Sequence, residues 1–404
     1  MALAACSPSL APPPGAWLAL PAPPVELINP VVVGFRDGGA LVLAGQSAVP
    51  RTATGVHGVP LPTVEEFAGG TWSLRAPEPE ALYDSGIVIL PNQDVLVVGG
   101  VDSQDRTVQK VFLYDPTADR WTRMPDLPAA RAGLFAVVLK DGTVLVGGGA
   151  SGWPNDFPPP SGLSSAWIFD PATAAWRSIS SMHTGRLFAS ATLLPDGTVL
   201  IAGGDDRGSP LASAEVFDPT TSSWTVVASM PQARGQQLAT LMGGNVVVMG
   251  GSAFNTFGGG FVANPSLDAE IFDVRSRSWS LGSPPGFNLN VPAFAAVAPV
   301  AAQRILVLAP APQVALAYDV GADYWSSVTP APHWEAGPTL TPMANGKVLF
   351  LTEKSAWLFD PNGNARSSDT GLGTETVVLA VIAGVLLLLI GLQRVFRGWR
   401  PVPG

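Results

Sequence analysis

Short apolar segments separated by Gly, Pro and Asp follow one another along most of the chain. One kind of segment ends in Gly-Gly, as the run that finishes at Gly100 does. A second kind ends in Asp-Pro and is followed by a tryptophan, as at Asp115, Pro116 and Trp121. Each segment has about four to seven residues, and that length between turn-forming residues is typical of β-strands.

This pair of segments recurs with a period of roughly 50 residues, which indicates a repeat architecture. The first copy lacks Asp-Pro, and the last, which ends at Arg366, lacks the tryptophan. We therefore predict seven units, with six units and an irregular hairpin as the alternative. The tryptophans at corresponding places are Trp72, Trp121, Trp176, Trp224, Trp279 and Trp325.

Turn signals divide each unit into four short antiparallel strands. Asp141-Gly142 and Asp196-Gly197 are typical two-residue hairpin turns, because Gly and Asp tolerate positive φ. Asp-Pro supplies the next turn, since the Asp side chain bonds the backbone and Pro presets φ. A sheet this small must stack on its neighbours, and a ring of such sheets closes into a β-propeller.

The Gly-Gly, Tyr/Phe-Asp-Pro and Trp elements at this period resemble those of the Kelch-repeat β-propeller family, over residues 30–366. The resemblance implies an all-β, seven-bladed Kelch-type propeller. Galactose oxidase shares this propeller and uses two His, two Tyr and a Tyr–Cys crosslink around copper. The single cysteine here, Cys6, precedes the repeats, so copper-radical chemistry is excluded and no cofactor is expected.

The composition of the chain limits the class of partner that it can bind. The chain has 44 Gly and 40 Pro among 404 residues, and only 13% of its residues are charged. The net charge of −9 argues against nucleic acid, because phosphate binding needs a basic surface.

The C-terminal residues predict a membrane anchor. Residues 376–392 carry no charge, and Arg394 extends the span to residues 376–396, enough to cross a bilayer. Residues 367–375 form a linker, and residues 397–404 a short basic cytoplasmic tail. The arginines after the span place the C-terminus inside and the propeller outside the cell membrane, as a single-pass protein. The alternatives are a buried helix, a tail anchor with the propeller in the cytoplasm, and a cleaved sorting signal.

Residues 1–29 form a Pro/Ala-rich N-terminal segment, and we interpret its stretch after Cys6 up to Pro24 as a stiff spacer. Leu3-Ala4-Ala5-Cys6 resembles the lipobox of bacterial lipoproteins, which implies lipidation of Cys6. The alternative, which we weigh equally, is that an alanine-rich segment matches the lipobox by chance.

Candidate binding residues lie in the loops after the Gly-Gly segments and between units, which emerge on one face of a propeller. Long loops with aromatic side chains on a rigid scaffold favour binding. The alternative is that the aromatic side chains fold back over the blade edges. The candidates are Trp153, Asp156, Phe157, His183, Asp205, Asp206, Phe254, Phe257, His333, Trp334 and Glu335.

Arg131, Arg186 and Arg234 occupy equivalent places before the first strand of a unit. Equivalent placement favours a structural role, with the side chains bonding backbone carbonyls between blades. The alternative is a ring of arginines around an anionic ligand in the central funnel.

These patterns predict a membrane-anchored, extracytoplasmic Kelch propeller that binds a protein or glycan through its loop-bearing face. The alternative is a carbohydrate-active enzyme, of hydrolase or sugar isomerase/mutarotase type, at the propeller funnel. His183 with Arg186, or His333 with Glu335, would then act as acid and base. No recognisable catalytic motif supports an enzyme, so we favour the binding module.

Overall fold

The computed structural model describes residues 15–27, 29–50, 58–152, 159–251, 268–285, 296–301, 303–310, 313–332 and 339–363. Within these ranges the chain forms β-strands joined by turns and loops. In chain order the strands are β1 (Ala16–Ala19), β2 (Val31–Gly34), β3 (Ala40–Leu43), β4 (Gln46–Pro50), β5 (Gly58–Pro60), β6 (Glu65–Ala68), β7 (Thr71–Leu74), β8 (Gly86–Ile89), β9 (Val95–Val98), β10 (Val111–Asp115), β11 (Arg120–Arg123), β12 (Ala132–Val138), β13 (Val144–Ala150), β14 (Ala166–Asp170), β15 (Ala175–Ser178), β16 (Ser190–Leu193), β17 (Val199–Ala202), β18 (Asp205–Asp206), β19 (Ser209–Pro210), β20 (Ala214–Asp218), β21 (Ser223–Val227), β22 (Leu238–Met242), β23 (Asn245–Met249), β24 (Glu270–Asp273), β25 (Ser278–Leu281), β26 (Ala296–Ala301), β27 (Arg304–Pro310), β28 (Gln313–Asp319), β29 (Tyr324–Ser327), β30 (Thr339–Pro342), β31 (Val348–Leu351) and β32 (Ala356–Asp360).

The described strands form seven four-stranded antiparallel sheets, which we call blades 1 to 7. The innermost strand of each blade contacts that of the next blade, and β30 of blade 7 contacts β2 of blade 1, so the ring closes. The predicted all-β propeller is therefore confirmed with seven blades and not six. From the innermost strand outward, the blades are β2-β3-β6-β7, β8-β9-β10-β11, β12-β13-β14-β15, β16-β17-β20-β21, β22-β23-β24-β25, β26-β27-β28-β29 and β30-β31-β32-β1.

The N-terminal strand β1 completes the last blade. It pairs antiparallel with β32, and Trp17 lies opposite Phe359. The blade that lacked a tryptophan in the repeat pattern thus receives Trp17 from the other end of the sequence. The predicted propeller boundary at residue 30 and the interpretation of the stretch up to Pro24 as a spacer are corrected here, because residues 16–19 belong to the propeller. A strand of four residues between prolines carries too little pattern to be recognised in the sequence.

The blade tryptophans form one hydrogen-bonded series around the ring. Each indole Nε1 donates to the backbone carbonyl that lies four residues after the tryptophan of the preceding blade, which links each blade to its neighbour. The pairs are Trp17 with Thr329, Trp72 with Pro21, Trp121 with Ala76, Trp176 with Pro125, Trp224 with Ser180, Trp279 with Ala228 and Trp325 with Ser283.

In five blades the second strand is buried along its whole length, because a neighbouring blade covers each of its faces. Strands β3, β9, β13, β17 and β31 show this burial at every residue. Such strands need continuous apolar sequence and not alternation. This explains how 47% hydrophobic residues accompany only 13% charged residues.

The features predicted at the two ends of the chain lie outside the described residues. These are Cys6 with its lipobox, the linker 367–375, the transmembrane helix 376–396 and the tail 397–404. Within the described ranges, no helix is both long enough and apolar enough to cross a membrane.

Candidate binding face at the start of the inner strands

Arg131 bonds its own blade through its side chain and the preceding blade through its backbone. Its Nη1 donates to the carbonyl oxygens of Gly148 (2.7 Å) and Ser165 (3.1 Å), both in blade 3. Its own carbonyl accepts a bond of 2.9 Å from the N–H of Gly100 in blade 2. The side chain therefore satisfies carbonyls exposed by the glycine pair of its own blade, while the backbone reaches the preceding blade.

The same arrangement recurs at the next two junctions. Arg186 Nη1 donates to the carbonyls of Gly203 (2.7 Å) and Ser213 (2.9 Å). Arg234 Nη1 donates to the carbonyl of Gly250 at 3.1 Å. We call this place, ten residues after the blade tryptophan, the arginine position.

The three arginines are buried, which settles between their two interpretations. Arg131 is 1% exposed, Arg186 0% and Arg234 2%. The prediction that they bind a ligand is therefore wrong, because side chains this buried are not available to a ligand in the funnel. The structural interpretation is also refined, since the side chains bond carbonyls within one blade and only the backbone joins two blades.

A second place in the repeat, which we call the acid position, lies two residues before the Phe or Tyr that packs on the blade tryptophan. In blade 4 it holds Glu215, whose Oε1 lies 3.1 Å from Arg186 Nη2, and in blade 5 Glu270, 2.6 Å from Arg234 Nη2. In blade 3 it holds Trp167, and the guanidinium of Arg131 lies 4.2 Å from the centre of that ring. Burial lowers the pKa of Arg131 to about 10.

His183 is bound to the same carboxylate as Arg186. The His183 Nδ1 lies 2.9 Å from Glu215 Oε2, and the His183 backbone N–H donates to the same oxygen at 2.8 Å. The imidazole is 56% exposed, whereas Glu215 is 1% exposed. Burial alone would raise the pKa of Glu215, but its bonds from His183 and Thr184 and the charge of Arg186 outweigh burial and lower it. The predicted pair His183 and Arg186 thus share Glu215.

The two aspartates after the Gly-Gly segment of blade 4 are held by the fold. Asp205 is only 5% exposed, and burial raises its pKa to about 7. Asp206 Oδ1 accepts a bond of 2.9 Å from the backbone N–H of Gly162 in the loop of blade 3. The prediction that Asp205 is an exposed binding residue is therefore wrong. Asp206 holds the backbone of the blade 3 loop at Gly162.

Five residues that the sequence analysis missed surround the central opening where the inner strands begin. Each lies two residues after the arginine position and has positive φ, between 50° and 63°. The last four members are joined in series by backbone bonds, from Gly133 N–H to the Asp84 carbonyl (2.9 Å), from Phe188 to Gly133 (2.7 Å) and from Gln236 to Phe188 (3.1 Å). We call this set the inner rim; its members are Asn29, Asp84, Gly133, Phe188 and Gln236.

Comparison with known proteins places these features in a family context. A family model described as the KLHDC2/KLHL20/DRC7 Kelch-repeats domain matches residues 67–251. Kelch-like protein terF of Aspergillus terreus is 27% identical over 139 residues, 33% of this chain and 30% of that protein. Beta-scruin of Limulus polyphemus is 30% identical over 121 residues, 30% of this chain and 13% of that protein. These matches support a Kelch β-propeller.

Further comparisons agree on the fold. Kelch-like protein 35 of Mus musculus is 29% identical over 136 residues, 34% of this chain and 21% of that protein. The chain thus matches less than a third of the length of each of these curated relatives. The solved structure described as "Structure of YjhT" superposes with a TM-score of 0.56 and 14% identity, over 77% of this chain and 99% of that one. That likeness concerns the fold alone.

Within the Kelch repeat, the inner rim carries no fixed residue type, and this is why no motif revealed it. A spacing rule would have found it, since it lies twelve residues after each blade tryptophan. In the described part of the chain no group of three or more His, Cys, Asp or Glu is arranged to hold a metal ion. The remaining predicted site residues lie outside the described residues: Trp153, Asp156, Phe157, Phe254, Phe257, His333, Trp334 and Glu335.

Proposed function

We propose that this Kelch propeller is an interaction module that binds a protein partner at the face bearing the inner rim. The matches to Kelch-like proteins and to scruin support an interaction role. The rim-bearing face also receives the loops that follow the Gly-Gly segments, because antiparallel strands return to it.

The observation that carries this proposal is the contrast between constant and variable positions within one repeat. The blade tryptophan makes the same hydrogen bond in every blade, whereas the inner rim holds Asn, Asp, Gly, Phe and Gln on the same backbone conformation. Asn29, Asp84 and Gln236 are exposed there. A rigid scaffold with varied, accessible side chains at one place is the usual construction of a binding surface.

Site-specific photo-crosslinking in the cell of origin tests this proposal. A photoreactive residue replaces Gln236 on the rim, and a matched control replaces Thr220, which is exposed in the turn between β20 and β21 at the opposite end of the same blade region. We expect a discrete crosslinked protein from position 236 and none from position 220. Equal crosslinking from both positions, or none from the rim, would contradict the proposal.

A carbohydrate-active enzyme is the second candidate, and the exposed imidazole of His183 favours it. Glu215 fixes the orientation of that ring through Nδ1, as the partner of a catalytic histidine does. The test is turnover of candidate glycosides and free sugars by the full chain and by His183→Ala. Turnover that is unchanged in His183→Ala would remove His183 from this role.

We also propose that the propeller lies outside the cell membrane on a single C-terminal span. This proposal rests on the uncharged residues 376–392 and on the arginines that follow them. Protease added to intact cells tests it, with permeabilised cells as the control. Degradation of the propeller only after permeabilisation would overturn the extracytoplasmic location.

A further inference from the structure

Asp84 is an accessible carboxylate without a partner at the inner rim. It is exposed, and in the described part of the chain no hydrogen bond or salt bridge reaches its side chain. Other exposed aspartates of this propeller bond their own turn, as Asp141 and Asp196 do with the N–H groups of Thr143 and Thr198. Asp84 has no such structural use.

Protein surrounds Asp84 closely even though solvent reaches it at the opening. This desolvation raises the pKa of Asp84 to about 6. A carboxylate with few waters and no countercharge gains more from a cation than a fully hydrated one does.

An aromatic side chain lies on the far side of Gly133, the rim residue next to Asp84. Gly133 donates its N–H to the Asp84 carbonyl, and a Cβ added to Gly133 would lie 2.9 Å from Phe188 Cε1. The Phe188 ring therefore covers Gly133, next to Asp84. Phe188 has φ of 53°, a conformation that a bulky residue rarely adopts, and it is partly exposed.

We propose that the inner rim takes a basic side chain of a partner protein, with Asp84 pairing its charge and Phe188 packing on its alkyl stem or cationic head. The inference rests on the proposed function and specifies its partner as one that presents Lys or Arg. A carboxylate beside an aromatic ring is the combination that recognises ammonium and guanidinium groups.

The charges around Asp84 agree with this ligand. The other members of the inner rim are uncharged, and Asn29 and Gln236 add acceptor oxygens. Arg131, two residues before Gly133, is buried with its donors on the carbonyls of Gly148 and Ser165. On the same connection, Glu80 is paired with Lys110, and Tyr83 donates to Asp105. Among these described groups none competes for the carboxylate of Asp84.

The experiment uses random peptides displayed on phage and selected on the full chain at pH 7.5. Binders are made as free peptides, and their affinities are measured for the wild type, Asp84→Asn, Phe188→Leu and Glu80→Gln between pH 5 and 8. Glu80→Gln is the matched control, since it removes the same charge from the same connection. The thermal midpoint of each variant shows that it remains folded.

We expect binders with an essential Lys or Arg whose affinity falls about tenfold in Asp84→Asn and about threefold in Phe188→Leu, with Glu80→Gln unchanged. The wild-type affinity should weaken below pH 6, where Asp84 becomes protonated, and Asp84→Asn should show no such dependence. Binders that lack a basic residue, or that tolerate Asp84→Asn, overturn this inference while the proposed function stands. The absence of any binder to the rim-bearing face overturns both.

Discussion

The arginine position and the acid position hold different pairs of residues at different junctions of the ring. In blades 4 and 5 an arginine meets a glutamate, and both are buried. In blade 1 the acid position holds Glu65, but the arginine position, ten residues after Trp17, holds Leu27. Glu65 is 0% exposed, and in the described structure its Oε2 has no hydrogen-bond partner.

The difference shows that the charge pair is optional while the backbone geometry is not. Glu65 Oε1 accepts a bond of 2.6 Å from Val25 N–H, yet burial raises the pKa of Glu65 to about 7. The pKa of Glu215 is lowered, despite burial, because three donors and a cation surround it. Blade 2 uses neither charge and places Leu82 and Phe112 at the two positions. Glu270 is paired with Arg234, yet burial outweighs that pairing and raises its pKa, so an arginine alone does not decide whether a buried glutamate is ionised.

The largest expected effect comes from removing the cation of a complete pair. Arg186→Met should lower the free energy of unfolding by about 3–5 kcal/mol, because Glu215 then remains buried without its countercharge. Arg131→Met, which leaves no acid behind, should cost only about 1–3 kcal/mol. Urea unfolding of both variants measures the difference, and equal losses would show that the glutamate contributes little.

A comparable effect is expected at the ring closure. Trp17→Ala should cost about 3–5 kcal/mol, as large-to-small changes of packed aromatic residues do. Trp176→Ala is the matched control, because it makes the same hydrogen bond in blade 3. If Trp17→Ala cost less than about 1 kcal/mol, β1 would not be needed to complete blade 7.

A smaller effect depends on pH. The unfolded chain holds Glu65 near its ordinary pKa of 4.5, whereas the folded protein holds it at about 7. The folded state binds more protons between these values, so stability falls as pH rises through this window. Glu65→Gln should therefore be more stable than the wild type by about 1–3 kcal/mol at pH 8 and nearly equal to it below pH 4.5.

Glu78 sets the control for that comparison. Burial raises the pKa of Glu78 to about 8, so this residue also lowers the stability of the protein as the pH rises. The slope of stability against pH should therefore be smaller in Glu65→Gln than in the wild type, but not zero. Thermal midpoints of both proteins across pH 4 to 9 test this. Parallel curves would mean that folding leaves the pKa of Glu65 at its unfolded value.

The smallest change is expected from completing the pair in blade 1. Leu27→Arg should alter the free energy of unfolding by less than about 1 kcal/mol, since the new cation meets Glu65. Leu82→Arg should cost more than about 3 kcal/mol, because Phe112 at the acid position of blade 2 offers the buried cation no countercharge. Carbon-13 labelled glutamate reports the same event by NMR, where the pKa of Glu65 should fall below 7 in Leu27→Arg. Equal destabilisation by both substitutions would show that the two positions do not face each other in blade 1.

Much of the fold was predictable from the sequence, because the repeated strands, hairpin turns and tryptophans are local signals. The candidate site was less predictable. The arginines stood out through equivalent placement, but an arginine bound to backbone carbonyls and one that binds a ligand have the same sequence pattern. Burial of Asp205 and the sharing of Glu215 by His183 and Arg186 depend on residues from separate strands and connections, which no local pattern links.

By itself the sequence determined the blade, because each blade is built from contiguous residues whose turns and apolar runs act over a few positions. Only the tertiary structure decided how the ring closes and what surrounds its opening. Trp17 reaches β32 from the far end of the chain, and the backbone of Gly133 links Asp84 and Phe188 across the connections of successive blades. Closure brings together residues distant in sequence, and their side chains acquire their burial, pKa and partners only when the ring is complete.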